Sequence, residues 1–455
     1  MSSESNFSSL TLHPALLETL SERNFQQMSP VQEQSLPAIL AGQDCIIQAR
    51  TGSGKTAAFA LGLLQKLVVD RFRVQSLVLC PTRELADQVA EEIRTLARGI
   101  HNIKVLTLCG GVPQRAQIIS LEHGAHILVG TPGRVLDHLQ NQRIDFSELT
   151  TLVLDEADRM LEMGFQTELQ SITKVLPAQR QTLLLSATYP AQIEQLAAKL
   201  LHDVQHIKVQ EQRDEAEVQK PQITQVYYEL GAAQRDEAVK RIVQHHQSER
   251  CVVFCNTKRV TQALADSLIA QGYSALALHG DLEQKDRDQA LVQFNNGSAR
   301  ILVATDVAAR GLDIAELDLV INAEVAHDSD THTHRIGRTG RAGAEGVAVT
   351  IVAHGEKAPE KLQPLPPVQL LTQPPLTASM VTVQIMGGKK HKLRPGDIVG
   401  ALTKDDQVPF TSIGKIKVLA GWSYVAVAND KQRVALHIFN NSKLKGRSFR
   451  AFVLR

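Results

Sequence analysis

The chain of 455 residues is poor in aromatic side chains (4%, with a single Trp), has only five cysteines and contains no long apolar run. Each shortage excludes something. No stretch approaches the roughly 20 apolar residues that a membrane-crossing helix needs, and the Ser-rich first ten residues lack the apolar core of a secretory leader. A soluble, cytoplasmic protein with no membrane partner is expected. Cys45, Cys80, Cys109, Cys251 and Cys255 fall mostly in apolar runs, and no second Cys/His pair with ligand spacing follows Cys251 and Cys255. That excludes a zinc knuckle and leaves reduced core thiols. Neither sign of charge dominates, since 49 Lys and Arg face 48 Asp and Glu, a net +1 that argues neither for nor against nucleic acid. The distribution is uneven. Val381 to Arg455 holds 14 Lys and Arg against 4 Asp and Glu, a net +10, whereas the remainder holds 35 against 44, a net −9. A basic module on a mildly acidic body points to a polyanion partner.

What is present is organised around Ala49-Arg50-Thr51-Gly52-Ser53-Gly54-Lys55-Thr56, set between an apolar run, Cys45 to Ile47, and a helical pattern, Ala57 to Leu67. The glycines let backbone N–H groups turn toward one point, where the following helix adds the positive end of its dipole. This is a cradle for phosphate. Lys55 is placed to reach the β/γ-phosphates of a nucleotide and the Thr56 hydroxyl to bind Mg²⁺. Short apolar runs alternate with helical patterns before and after a charged stretch at His206 to Pro221. That rhythm predicts two consecutive α/β domains with parallel sheets. In the first, the run Thr151 to Leu154 leads into Asp155-Glu156-Ala157-Asp158. A carboxylate at such a strand end suits a Mg²⁺ ligand, Asp155, and the next suits a base, Glu156, that orients a water in line with the γ-phosphate.

With these residues in place, the chain over Phe7 to Gly346 resembles the DEAD-box RNA helicases of superfamily two. Phe25 with Ser29-Pro30-Val31-Gln32 resembles the family's adenine-reading motif, although Asn24 and Met28 stand where the family usually has Gly and Pro. The resemblance implies that Phe25 stacks on adenine and Gln32 pairs with its edge; Phe7 stands at the spacing of an outlying aromatic. Pro81-Thr82-Arg83, Gly110-Gly111 and Thr131 to Arg134 resemble the first domain's RNA contacts. They offer hydroxyls, glycine N–H groups and two guanidinium groups but no aromatic, so binding through the sugar-phosphate backbone is expected. The likeness assigns coupling of nucleotide state to RNA binding to Asp158, Ser186, Thr188 and His334, with both hydroxyls able to meet the Asp158 carboxylate. It assigns further RNA contacts to Arg287 and Thr305, ribose binding to Asp313, and a reach toward the γ-phosphate to Arg338 and Arg341. ATP and single-stranded RNA are then expected to favour one closed form, reciprocally.

The domains expected are 1–208 and 209–355, both RecA-like with a parallel sheet, a Pro-rich linker 356–380, and an RRM-like α+β domain at 381–455. The last follows from a β-α-β-β-α-β order over about 75 residues, with Arg447 to Leu454 as the final strand. Its usual sheet aromatics are mostly missing, with Trp422 and Tyr424 near the third strand. RNA contacts are therefore expected from Lys389, Lys390, Lys392, Arg394, Lys415, Lys417, Lys443 and Lys445 as well as from the sheet. Segments of this tail resemble the C-terminal domain of one bacterial group in the family. That likeness implies a hairpin of 23S ribosomal RNA as target and a role in large-subunit assembly, with ATP and Mg²⁺ as cofactors, no DNA and no obligate protein partner. An ATP-gated RNA clamp, or a general RNA chaperone without a specific target, is the alternative.

Overall fold

The computed structural model describes residues 6–49, 52–209, 223–230, 235–306, 317–340, 346–357, 362–364 and 377–454. The chain forms two units, Met1–Glu215 and Ala216–Arg455.

In the first unit seven parallel strands, β1 (Cys45–Gln48), β2 (Ser76–Leu79), β3 (Val105–Leu108), β4 (Ile127–Gly130), β5 (Thr151–Leu154), β6 (Gln181–Ser186) and β7 (Gln205–Lys208), lie in the order β3-β4-β2-β5-β6-β1-β7. Helices α1 (Pro14–Glu22), α2 (Pro30–Leu40), α3 (Lys55–Lys66) and α4 (Arg83–Leu96) pack Leu16, Leu36, Phe59 and Ile93 against one face. After α5 (Gln114–Glu122), helices α6 (Pro132–Gln140), α7 (Ala157–Glu162), α8 (Gln166–Thr173) and α9 (Ala191–Leu200) cover the other face with Val135, Met160, Leu169 and Ile193. Central strands buried on both faces read as unbroken apolar runs, which is why this sequence shows them so clearly. β7 is different. Its residues Gln205, His206 and Lys208 are exposed at the sheet edge, and its polar composition carries no strand signal.

The second unit repeats the plan. Strands β8 (Ile223–Leu230), β9 (Cys251–Cys255), β10 (Ala275–Leu278), β11 (Ile301–Thr305), β12 (Leu319–Asn322), β13 (Gly346–Ala353) and β14 (Gln363–Pro364) take the order β10-β11-β9-β12-β13-β8-β14. Helices α10 (Arg235–His246) and α11 (Lys258–Ala270) lie on one face, α12 (Gln284–Asn295) and α13 (Ser329–Ile336) on the other.

In the same unit, β15 (Met380–Ile385), β16 (Ile413–Val418), β17 (Ser423–Ala428) and β20 (Ala451–Val453) build an antiparallel sheet ordered β16-β17-β15-β20. Helices α14 (Pro395–Thr403) and α15 (Gln432–Asn441) bury Ile398, Leu402, Ala435 and Phe439 behind it. The single final strand expected over Arg447 to Leu454 is two pieces, β19 (Arg447–Ser448) and β20. The first pairs with β18 (Lys443–Leu444) in a hairpin, because Lys445 and Gly446 both adopt positive φ, 48° and 77°, the geometry of a tight hairpin turn.

Part of the sheet face expected to meet RNA is covered. Tyr424 is 1% exposed and packs with Leu454 against Val292 of α12. Gln289 Nε2 donates to Gln384 Oε1 at 3.2 Å, Asn296 Nδ2 donates to Thr382 Oγ1 at 2.8 Å, and Thr382 Oγ1 donates to Ser298 Oγ at 2.8 Å. The side chains of this face at Thr382, Gln384 and Tyr424 thus serve packing within the unit. The eight cations named for RNA contact are unaffected, and Lys389, Lys390, Lys392, Arg394, Lys415, Lys417, Lys443 and Lys445 are all exposed.

Candidate functional site

The candidate phosphate loop follows β1 and opens α3. Gly52 and Gly54 take φ of +82° and +97°, a region that side chains disfavour. At Gly54 space also decides, since a Cβ would stand 2.6 Å from Gln32 Nε2 and 2.9 Å from Ser29 Oγ. Those two groups tie the start of α2 to the loop: Ser29 Oγ donates to Ser53 O at 2.8 Å and Gln32 Nε2 donates to Gly54 O at 3.1 Å. Gln32 Oε1 in turn accepts from Ser29 N at 2.8 Å. One amide hydrogen and one oxygen lone pair of Gln32 remain for a base. Asn24, standing where the family usually has glycine, adopts φ 60°, a conformation asparagine tolerates better than most residues. Phe25 beyond it is 43% exposed, whereas Phe7 is buried at 3% and belongs to the core.

Lys55 is buried, and its ammonium donates to the carbonyl of Ala49. Burial pulls its pKa down, against the opposing pull of Asp155, Glu156 and Asp158. Thr56 sits in the first turn of α3. Asp155 follows β5 at 3% exposure. Burial, and then the neighbouring Glu156, push its carboxyl up from 3.8 to about 7. A divalent cation at that point would offset both effects, and hydroxyl and carboxylate oxygens are the donors Mg²⁺ prefers, so the residues fit the ion. Glu156 adopts a left-handed φ of 52°, and its carboxylate accepts from Arg159 Nη1 at 2.7 Å inside the protein. Sequence reasoning misses Arg159, although its place three residues after Glu156 at a helix start is a usable signal.

Asp158 closes the network. Its Oδ2 accepts from Ala187 N, Thr188 N and Thr188 Oγ1 at 3.2, 2.9 and 2.8 Å, and its Oδ1 accepts from Arg159 N at 3.0 Å. The second expected hydroxyl goes elsewhere: Ser186 Oγ donates to Thr188 O at 2.6 Å, because Asp158 is already supplied with donors.

The first unit's RNA-contact candidates lie beyond β2, β3 and β4, neighbours in the sheet. Thr82 caps α4 by accepting from Leu85 N, and Arg83 Nη1 donates to Gly111 O at 3.5 Å. Pro81 is buried beside Thr82, Gly110 and Gly111 are exposed, and Thr131 precedes α6. No motif flags Gln117, yet it joins two of these segments. Its Oε1 accepts from Arg134 Nη1 at 3.1 Å and its Nε2 donates to Cys109 O at 2.8 Å, just before Gly110. His138 Nε2 lies 2.9 Å from the same Oε1.

In the second unit Arg287 is on α12, and Thr305 ends β11 in a buried position. His334 is on α13 and Arg338 just beyond it, buried at 5%. Arg335, 1% exposed, donates to both oxygens of Asp306 at 2.6 Å, to Asn256 Oδ1 at 2.7 Å and to Glu324 O at 2.9 Å. Such a fork fixes the segment that carries Arg338. Arg50, Thr51, Asp313 and Arg341 lie outside the described residues. All five cysteines are buried and unpaired, and burial pushes their thiols up, Cys45 to about 11 and Cys109 and Cys255 to about 12. Among the described residues no cluster of metal-ligating side chains occurs and no helix is long and apolar enough to cross a membrane.

Comparison with known proteins extends this picture. Residues 29–196 match the DEAD/DEAH box helicase family, residues 234–343 the helicase conserved C-terminal domain, and residues 382–452 the DbpA RNA binding domain. The chain is 49% identical to the ATP-dependent RNA helicase DbpA of Escherichia coli over 99% of both chains. Among solved structures it is similar to S. cerevisiae Dbp5 bound to RNA and ADP BeF3, with a TM-score of 0.70, 29% identity, and coverage of 80% of this chain and 96% of that one. It is also similar to Mss116p bound to ssRNA and AMP-PNP, with a TM-score of 0.69, 26% identity, and coverage of 80% and 79%. A phosphate loop and an acidic strand end in one parallel-sheet unit, a second such sheet and a basic terminal domain thus agree with these matches from end to end: the chain belongs to the DEAD-box family of ATP-dependent RNA helicases, in the group that carries the DbpA RNA-binding domain.

Proposed function

We propose that this RNA helicase is directed by its C-terminal domain to a hairpin of 23S ribosomal RNA and remodels short duplexes there during assembly of the large ribosomal subunit. The observation that carries the reading is the terminal domain itself, a net +10 segment with eight exposed Lys and Arg at its loops and edge strand. Its sheet face is packed against α12 at Tyr424 and Gln384. RNA is then met by the lysine-bearing loops, where phosphates and the bases of a hairpin loop are accessible.

In the proposed ATP site, the loop N–H groups and Lys55 bind the phosphates, and Phe25 and Gln32 bind adenine. Thr56 and Asp155 would hold Mg²⁺, and the ion would supply positive charge to offset the negative charge of the phosphates. Glu156 orients and deprotonates the attacking water. Arg159, hydrogen-bonded to it at 2.7 Å, keeps that carboxylate aimed. Asp313 is proposed to bind ribose, and Arg338 and Arg341 the γ-phosphate, in the manner of guanidinium groups that stabilise transferring phosphoryl charge. The segments at Arg83, Gly110 and Arg134 take the backbone of one RNA strand.

The test is the ATPase rate with a hairpin fragment from the peptidyl-transferase region of 23S rRNA, an unrelated structured RNA of equal length, and polyuridylate. Strong stimulation by the first alone, lost when residues 381–455 are deleted, is the expected outcome. Equal stimulation by all three would leave a helicase with no ribosomal target. Lys55→Ala and Glu156→Ala should each abolish RNA-stimulated hydrolysis, and retained activity in either would overturn its assigned role.

A further inference from the structure

We propose that Arg23 is a positioning residue for the nucleobase: it backs the ring of Phe25 so that a single face is presented to adenine. The proposal rests on the adenine assignment of Phe25 made above. Arg23 caps the C-terminus of α1, and its guanidinium carbon lies 4.9 Å from the centroid of the Phe25 ring. The guanidinium is itself held. Its Nη1 donates to Glu92 Oε1 at 2.7 Å and its Nη2 to Glu92 Oε2 at 3.3 Å, a two-pronged ion pair to α4. Phe25 N donates to Leu20 O at 2.9 Å, which fixes the backbone beneath the ring, and Asn24 makes the left-handed turn that delivers it.

An exposed phenylalanine on a short connection would otherwise rotate among rotamers, and a base stacking on it would bind more weakly by the entropy of ordering it. A cation on one face removes that freedom through attraction to the ring's negative face. Phe25 is 43% exposed, and with one face taken by the guanidinium the opposite face is the one offered to a base. The guanidinium of Arg23 is engaged by the Phe25 ring and by Glu92. Its influence should therefore appear in binding that involves a base and be missing from binding that does not.

The experiment measures the affinity of the full chain for a fluorescent ADP analogue, and for tripolyphosphate by competition with it. Arg23→Ala should weaken the ADP analogue about three- to fivefold, the size of a partly exposed cation–aromatic contact, and leave tripolyphosphate unchanged. Arg23→Lys should recover part of the loss, and Glu92→Gln should give an intermediate value by untethering the guanidinium. Equal weakening of both ligands by Arg23→Ala would show a structural role only and overturn the proposal. So would an unchanged ADP affinity in Arg23→Ala when Phe25→Ala has lost it. If Phe25→Ala itself leaves ADP affinity intact, the adenine assignment falls first, and the role of Arg23 with it.

Discussion

Asp155, the proposed Mg²⁺ ligand, is held in place at the expense of the fold. Burial and Glu156 push its carboxyl to about 7, so the folded protein holds this proton more tightly than the unfolded chain does. A raised acid pKa contributes stability that is complete below the unfolded value near 4 and is lost as pH rises through about 7. Asp155→Asn keeps the shape and cannot ionise. In the nucleotide-free protein it should therefore gain roughly 2–4 kcal/mol at pH 8, shrinking toward zero as pH falls to 4. Thermal unfolding across that range checks the slope, and RNA-stimulated ATPase should be lost in the same variant. A gain that does not change with pH would mean that the carboxyl is already ionised or already neutral throughout. Arg335 makes the contrasting case, because its buried charge is matched by both oxygens of Asp306 at 2.6 Å. A buried charge so paired is strongly missed only when one partner is removed.

At the level of elements, the segments proposed for RNA contact lie side by side because adjacent strands deliver them, and Gln117 of α5 bonds two of them together. Gln117 on α5 holds the Cys109 carbonyl and the Arg134 guanidinium together, at 2.8 and 3.1 Å. Gln117→Ala should leave both loose, raising the Kd for single-stranded RNA roughly three- to tenfold, the size of one to two hydrogen bonds. ATP-analogue affinity in the absence of RNA should be unchanged, and fluorescence anisotropy on both ligands separates the two effects. The motifs around this hub are legible because each follows a buried strand whose apolar run is unmistakable. The hub itself is not, since a lone Gln in a polar helix looks like surface until the fold buries it. The same reasoning separates the strands that can be read from those that cannot. β5 and β9 are apolar throughout most of their length, whereas β7 lies at an edge with exposed polar side chains, and β18 and β19 are short because Lys445 and Gly446 turn the chain back. That Tyr424 is closed to RNA has a tertiary reason, as no local pattern shows that α12 will cover it.

Across the whole molecule charge is unevenly divided, a net −9 over residues 1–380 and a net +10 over Val381 to Arg455, the segment proposed to meet the ribosomal hairpin. Binding driven by phosphate neutralisation releases counterions, so the logarithm of affinity should fall linearly with the logarithm of salt concentration. The steepness counts contacts. If Lys389, Lys390 and Lys392 each neutralise one phosphate of a hairpin stem, replacing any one by Ala should flatten that slope by about 0.9, and by about 0.7 for a single strand. The three changes together should add, because these lysines are exposed and form no carboxylate ion pair among the described residues, unlike Lys445, which lies 3.3 Å from Asp397. Lys445→Ala should accordingly flatten the slope less, since its charge is already partly neutralised within the protein. Binding of the 23S hairpin fragment by the full chain, titrated from low to moderate salt, measures all four. Equal slopes for the lysine variants and the unaltered chain would mean that the basic loops are merely solvated, and would move the search for the RNA contact away from them.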